Sequence, residues 1–534
     1  MKRMLGLGMA MALLALLVTS CKSSSSSASS GSGAPASNVT IVHGTTDTIV
    51  SLDPAGQYDL GSAQIGYQIY DNLLVIPPQG NTPQPSAATA CSYTNPTTYT
   101  CTLRSDLKFS DGSALTSADV LYSFKRNLEI NDPNGACSLL ASISGSASGC
   151  KWNSKSITTP NDTTVVFHLN APDATWPFIL TTSAAYIVPS DVYPETKLQP
   201  DAKVIGSGHY MLTKYTPGQQ VVLTANPNWW GDPPANASVI VQYYDKSSAL
   251  KLALEQGTVD VGWRTFTPTD VQAMRGESSL QVLTGPGAEI RYLVFNESFP
   301  QGKQLAIRKA VAMTVDRQAI VHNVYNDTVA PLWSMVPSGL AGHVDSFKTL
   351  YGDKPDIPGA TKALKDAGIA TPVPLEIWWT PTHYGDSSAD EYAEIKRSLE
   401  ASGLFTVTLK STEWDQYITA ALTDQYPNYQ LGWFPDYPDA DNYVYTFYAK
   451  TSFLNDHYSN SKIQSLLADE RASTDPAQRQ KDFEQIQQIG AQDVPIVPIW
   501  EGTQLAVAQQ NVTGVQQTLD VAYIFRYWLI SKTS

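Results

Sequence analysis

The stretch from Trp433 to Tyr443 packs four aromatic rings, Trp433, Phe434, Tyr437 and Tyr443, around three carboxylates, Asp436, Asp439 and Asp441. Pro435 and Pro438 stiffen the loop between them. Such a segment suits recognition rather than bond-making. Rings supply contact area at low entropic cost, and a carboxylate supplies a directional, charge-assisted anchor for a cation. The plainer alternative is that the aspartates cap turns and the rings fill a core. Trp414, in Glu413-Trp414-Asp415-Gln416-Tyr417, is a second candidate wall of a binding cleft. An anionic ligand group would need a cation. Arg264, Arg291 and Arg308 are available, and residue order selects none of them, though Arg308 falls in a helical pattern.

Patterns for bond chemistry are missing. The seven histidines lie far apart, and no pair has the spacing of a zinc-binding helix. There is no Gly-x-Ser-x-Gly elbow and no Gly-x-Gly-x-x-Gly phosphate loop. Ser-x-x-Lys occurs more than once, for example at Ser105–Lys108 and Ser248–Lys251, without the companion elements that give it meaning. No catalytic residue, metal or cofactor is therefore assigned. A formal charge of -14 disfavours nucleic acid, because phosphate is repelled by a net-acidic surface. With 16% charged and 42% apolar residues over 534 positions, the composition is that of a globular protein of two or three lobes.

Lys2 and Arg3 precede an apolar run from Met4 to Val18, then Thr19-Ser20-Cys21. The run is shorter than the roughly 20 residues that span a bilayer. It resembles a bacterial lipoprotein signal, which implies cleavage before Cys21 and lipidation of that cysteine; the alternative is an ordinary signal peptide with a chance cysteine. Residues 22–38 are mostly Ser, Gly and Ala, a composition suited to a flexible tether. Cys91, Cys101, Cys137 and Cys150 remain. In an exported protein disulfides are the default, and of three possible pairings the local ones, Cys91–Cys101 and Cys137–Cys150, are favoured. No Cys-x-x-Cys or nearby His supports a metal site instead.

The elements that must position the candidate residues follow from local pattern. Val39 to Val50 alternates as a strand, Leu52-Asp53-Pro54 breaks it, and Tyr67 to Leu74 reads as a buried helix. Cys91 to Cys101 reads as a hairpin about Asn95-Pro96. Tyr99–Leu103 and Leu107–Phe109 read as strands before a Ser110-Asp111-Gly112 turn, and Thr116 and Asp119 form a capping box for the helix that follows. Gly257 fits a helix C-cap, Asp316 an N-cap, and Asp475-Pro476 a cap followed by proline at the first helical position.

Tyr99 through Leu128, centred on Leu107-Lys108-Phe109-Ser110-Asp111-Gly112-Ser113-Ala114-Leu115-Thr116, resembles the signature of family 5 extracellular solute-binding proteins. The resemblance continues in family order at Ile205–Tyr210, Asn226–Gly231, Ala253–Asp260, Tyr292–Asn296, Ile307–Val311, Val315–Ile320, Gly432–Asn442 and Ala491–Pro498. It covers nearly the whole chain after the tether. Any one motif is weak; the ordered set is strong. Trp229 and Trp230 fall within such a motif and read as structural.

The resemblance implies an α/β, two-lobed periplasmic-binding-protein fold of type II, with an additional inserted subdomain, closing over a cleft. It places the first lobe at 39–78, 203–289 and 500–534, the insert at 79–202, and the second lobe at 290–499, with crossovers near Ile290–Asn296 and Pro495–Trp500. It further implies a non-catalytic, monomeric receptor that hands a peptide-like solute to the membrane permease subunits of an ABC importer. Asp436 matches the position where the family often holds a ligand's α-ammonium group, with Trp433, Phe434, Tyr437 and Trp414 as neighbouring contacts. An oligosaccharide, a chelate or an antibiotic fits the scaffold motifs equally well. A secreted lipoprotein enzyme would need a converging nucleophile and base, which the sequence does not display.

Overall fold

The computed structural model describes residues 38–146, 149–385 and 387–533. The expected signal, Cys21 and nearly all of the Ser-rich tether lie outside the described residues.

Two long strands organise the chain. Leu280–Phe295 and Ile496–Gln509 pair antiparallel at the centre of an eleven-stranded mixed sheet. Both are apolar and largely buried, which suits strands covered on both faces. On one side the sheet continues through Val261–Trp263, Thr40–Thr45, Ser238–Tyr243, Gln220–Ala225 and Tyr210–Thr216. On the other it continues through Asn428–Trp433, Val373–Trp379 and Phe405–Ser411. Each flank contains a parallel set, Thr40–Thr45 between its two neighbours and Val373–Trp379 between its own. The central pairing is interrupted between Pro286 and Ile290, where the register shifts. A residue with a side chain at Gly287 would place its Cβ 2.2 Å from the Gly502 carbonyl, so glycine lets the two strands approach there.

A second, four-stranded antiparallel sheet is built from Ala88–Asn95, Thr98–Leu103, Thr164–His168 and Ile157–Asn161. Cys91 and Cys101 face each other across its hairpin and are joined; Cys137 and Cys150 form the second disulfide. The capped helix is Ser117–Ile130, and the Thr116 amide donates to Asp119 at 2.9 Å. That helix ties this sheet to the rest of the molecule. Arg126 makes a bidentate pair with Asp53 at 2.7 and 2.6 Å, and both side chains are almost fully buried. Asp53 is thus more than a strand breaker.

Three local expectations change. The first strand ends at Thr45, not Val50. The buried helix is Leu60–Ile69, capped by Asp59, and the chain is already extended at Tyr70. Its run from Ser62 to Ile69 is buried almost all round, so no amphipathic period marks its start. Leu107–Phe109 makes only an isolated bridge, Lys108 to Ala114. The caps at Asp316 and Asp475 and the left-handed Gly257 are present.

Candidate functional site

A cavity of about 1770 Å³ lies over the central strands, between the two flanks of the sheet. It exceeds the roughly 300–1,000 Å³ of typical small-molecule clefts, leaving room for an extended ligand and its water. Its floor carries Glu289, Arg291, Trp500, Gly502 and Thr503 from the long strands. One wall comes from the flank that contains Val261–Trp263 and Thr40–Thr45 and includes Asp47, Tyr58 and Arg264. The facing wall includes Trp414, Trp433, Phe434 and Asp436. Six carboxylates and three cationic side chains line it, so its field favours a cationic group.

Asp436 is held on the wall by a small network. The Asn442 carbonyl oxygen accepts from the Asp436 amide at 2.9 Å and from Trp433 Nε1 at 3.0 Å. With its oxygen so engaged, Asn442 presents its amide nitrogen to Asp436 Oδ2 at 2.9 Å. The other carboxylate oxygen accepts from Tyr58 Oη, 2.6 Å away across the cavity. Burial pushes the Asp436 pKa up, and the bonds from Asn442 and Tyr58 oppose that rise. A cationic ligand group would restore the missing counter-charge.

The loop bearing Asp436 is anchored from behind. Arg471 binds Asp441 through two bonds of 2.8 Å, and Arg479 binds Asp439 at 2.8 and 2.7 Å while also reaching Glu470. Burial raises the pKa of Glu470; burial pushes Asp441 the same way, but the pair with Arg471 outweighs it and holds that carboxyl below the usual range. Asp439 and Asp441 are therefore structural, as the plainer reading of this segment had it. Tyr437 is only 6% exposed and sits in the core of the four-stranded subdomain, near Phe178, with its hydroxyl donating to Asp441. It does not line the cavity. The alternating direction of the loop sends Tyr437 away from the face that Asp436 presents.

The remaining candidates converge on the cavity. Trp414 stacks on His383 at 3.6 Å and 7°, and burial with the nearby Arg291 charge lowers the His383 pKa to about 4, so the imidazole is neutral at physiological pH. Phe434 meets the edge of Tyr523 at 5.6 Å. Gly432 lies against Arg291, whose Nη1 would be 2.1 Å from an added Cβ, which explains glycine before Trp433. Trp229 and Trp230 lie elsewhere, Trp229 against His209 and Trp230 donating to buried Asp71.

Of the three arginines, Arg308 is spent on the backbone carbonyls of Gly302 and Asp493. Arg291 is buried against Glu289 at 2.7 Å. Arg264 faces the cavity. Sequence reasoning missed Tyr58 and His383. Tyr58 lies 378 positions from Asp436, and no local signal marks it.

A model of the family described as bacterial extracellular solute-binding proteins, family 5 Middle, matches residues 82–455. A probable D,D-dipeptide-binding periplasmic protein of Escherichia coli (strain K12), DdpA, is 25% identical over 503 residues, covering 90% of this chain and 92% of that protein. Among solved structures, the ABC transporter substrate-binding protein CtaP of Listeria monocytogenes superposes with a TM-score of 0.80 at 21% identity, covering 93% of this chain and 100% of the other. The periplasmic binding protein DppA of Helicobacter pylori, solved with the peptide STSA, gives 0.74 at 20% identity, with 93% and 98% covered. The fold is that of the type II periplasmic binding proteins, as expected.

Proposed function

The chain belongs to the family 5 bacterial extracellular solute-binding proteins, and from that premise we propose that it is a non-catalytic receptor for a peptide-like solute. The observation that carries this reading is Asp436: a carboxylate held by neutral donors on the wall of a large, aromatic-walled cavity. The ligand's α-ammonium group sits on it, and Trp433, Phe434 and Trp414 supply contact area around the chain. Relatives named for dipeptide binding, and a neighbour solved with a bound peptide, support the same reading.

Residues 39–78, 203–289 and 500–534 form one lobe, 290–499 the other, and 79–202 the insert. Solute contacts to both lobes favour the closed form, because they are made together only there. The receptor is a monomer, tethered outside the cell by lipid on Cys21, and its closed shape is what the permease subunits of an ABC importer engage. No cofactor takes part.

Calorimetry against a panel of short peptides and glyco-oligomers tests the proposal. Heat from peptides, with the ligand recovered intact by mass spectrometry, is the expected result. Heat only from sugars would replace peptide by oligosaccharide, and recovery of a cleaved ligand would make the protein an enzyme.

A further inference from the structure

The buried apolar residues that form the core of the four-stranded subdomain run from Leu73 to Ile187, with one exception. Tyr437 joins them from far along the chain. Its ring lies 5.9 Å from that of Phe178, centroid to centroid. Nearby, the Ala174 amide donates to the Arg471 carbonyl at 2.7 Å, a second contact between the same two regions. Arg471 also grips Asp441, and Asp441 accepts from Tyr437 Oη at 2.9 Å. The tyrosine is therefore braced through its hydroxyl on its own side, while its ring projects into the other.

The insert itself is fastened to the first lobe. Arg126 pairs with Asp53, Asn72 donates to the Thr182 carbonyl at 2.9 Å, and the Ser110 amide donates to the Gly206 carbonyl at 2.9 Å. Tyr437 belongs to the second lobe, so its ring crosses from one half of the molecule to the other. Asp436 crosses as well, through its bond from Tyr58 at 2.6 Å. A single peptide bond joins the two crossings, so they make and break together. Size decides what kind of contact this is. Phe178 stays half-buried, and the crossing amounts to one ring and one backbone bond. Burying one large side chain shifts an equilibrium by only about tenfold to a hundredfold, enough to bias two halves and too little to fuse them.

We propose that Tyr437 is a lock outside the cavity: its ring, seated in the insert against Phe178, holds the two halves closed independently of any guest. This rests on the two-lobe division above, and not on the guest being a peptide. Tyr437 does not line the cavity, so the lock acts on the shape of the receptor and not on the guest. The guest's own contacts then need not supply the whole of the closing free energy, and the gain in affinity is the same whatever side chains the guest carries.

Small-angle scattering without added ligand tests the lock, each profile being compared with the curve calculated from the structure. The wild type and Tyr437→Phe, which keeps the ring, are expected to match the closed curve. Tyr437→Ala and Phe178→Ala should raise the ratio of open to closed molecules by about tenfold to a hundredfold and expand the profile. A wild type that is already expanded overturns the lock. So does expansion in Tyr58→Phe while both alanine variants keep the wild-type profile: the closing contact is then the Asp436 bond, and the two-lobe reading stands. If nothing expands, not even the double variant Tyr58→Phe, Tyr437→Ala, the lock falls together with the swinging halves it rests on. The two alanine variants approach one contact from opposite sides. If thermal unfolding shows that one of them is misfolded, the other decides.

Discussion

Replacing Asp436 by Asn separates recognition from stability. The amide is nearly isosteric with the carboxylate, and each bond has a substitute. Its oxygen accepts from Asn442 Nδ2, now 2.9 Å from the carboxylate, and its nitrogen donates to Tyr58 Oη, which accepts as readily as it donates. What disappears is the charge. A hydrogen bond to an ionised partner is worth about 1.5–3 kcal/mol, so a peptide with a free amino group should bind about 10- to 150-fold more weakly. The effect on folding has the opposite sign. Burial raises the Asp436 pKa, so the folded state holds a proton more tightly than the unfolded chain does. Ionised Asp436 therefore opposes folding at pH 7, and that opposition fades as pH falls towards the unfolded value of about 3.9. The Asp436→Asn variant should leave Tm at pH 7 unchanged or raised. Calorimetry with one tripeptide in free and N-acetylated form, paired with scanning calorimetry of the unliganded protein, reads both quantities. Equal loss for the two peptides, or a Tm lowered by several degrees, would refute the reasoning.

Asp53→Ala leaves the buried Arg126 guanidinium without its bidentate partner and should lower stability by about 3–5 kcal/mol, read as a shift in the urea midpoint. Tyr437→Phe removes a donor from Asp441 and should destabilise by about 1 kcal/mol while leaving peptide affinity unchanged; a large affinity loss would return Tyr437 to the binding site. Asp71 accepts from Trp230, Ser86 and Asn72 in a buried site that raises its pKa to about 6. The wild type should therefore gain stability relative to Asp71→Asn as pH falls from 7 through 6 towards 4, by on the order of 3 kcal/mol; parallel stability–pH curves would exclude it.

Much of this architecture could be read from residue order because its signals are local. The Cys91–Cys101 hairpin, the Thr116–Asp119 capping box and the caps at Asp316 and Asp475 each depend on residues a few positions apart. Asp436 emerged through a motif that carries its own flanking glycine and aromatics. What could not be read depends on distance or direction. Tyr58 reaches Asp436 only because the sheet brings its two flanks together. Choosing among three arginines required knowing which were already paired. Tyr437 and Asp436 are adjacent, yet they face a subdomain core and a cavity respectively, and composition alone does not tell a wall from a wedge. Residue order places the buried helix at Tyr67–Leu74 rather than Leu60–Ile69 because, with nearly all of it buried, no amphipathic period marks its start.

The interrupted pairing between Pro286 and Ile290 has a mechanical consequence. The strands that join the two halves also form the cavity floor, so any pivot at this break passes beneath the ligand. Displacement grows with distance from a pivot. If the halves pivot there, groups on the floor such as Arg291 and Trp500 would travel little, whereas the bond between Tyr58 and Asp436, which joins the two flanks, would have to break and re-form. First capture would then fall to the near-stationary floor, and discrimination between guests to whether the Tyr58–Asp436 contact can re-form around them.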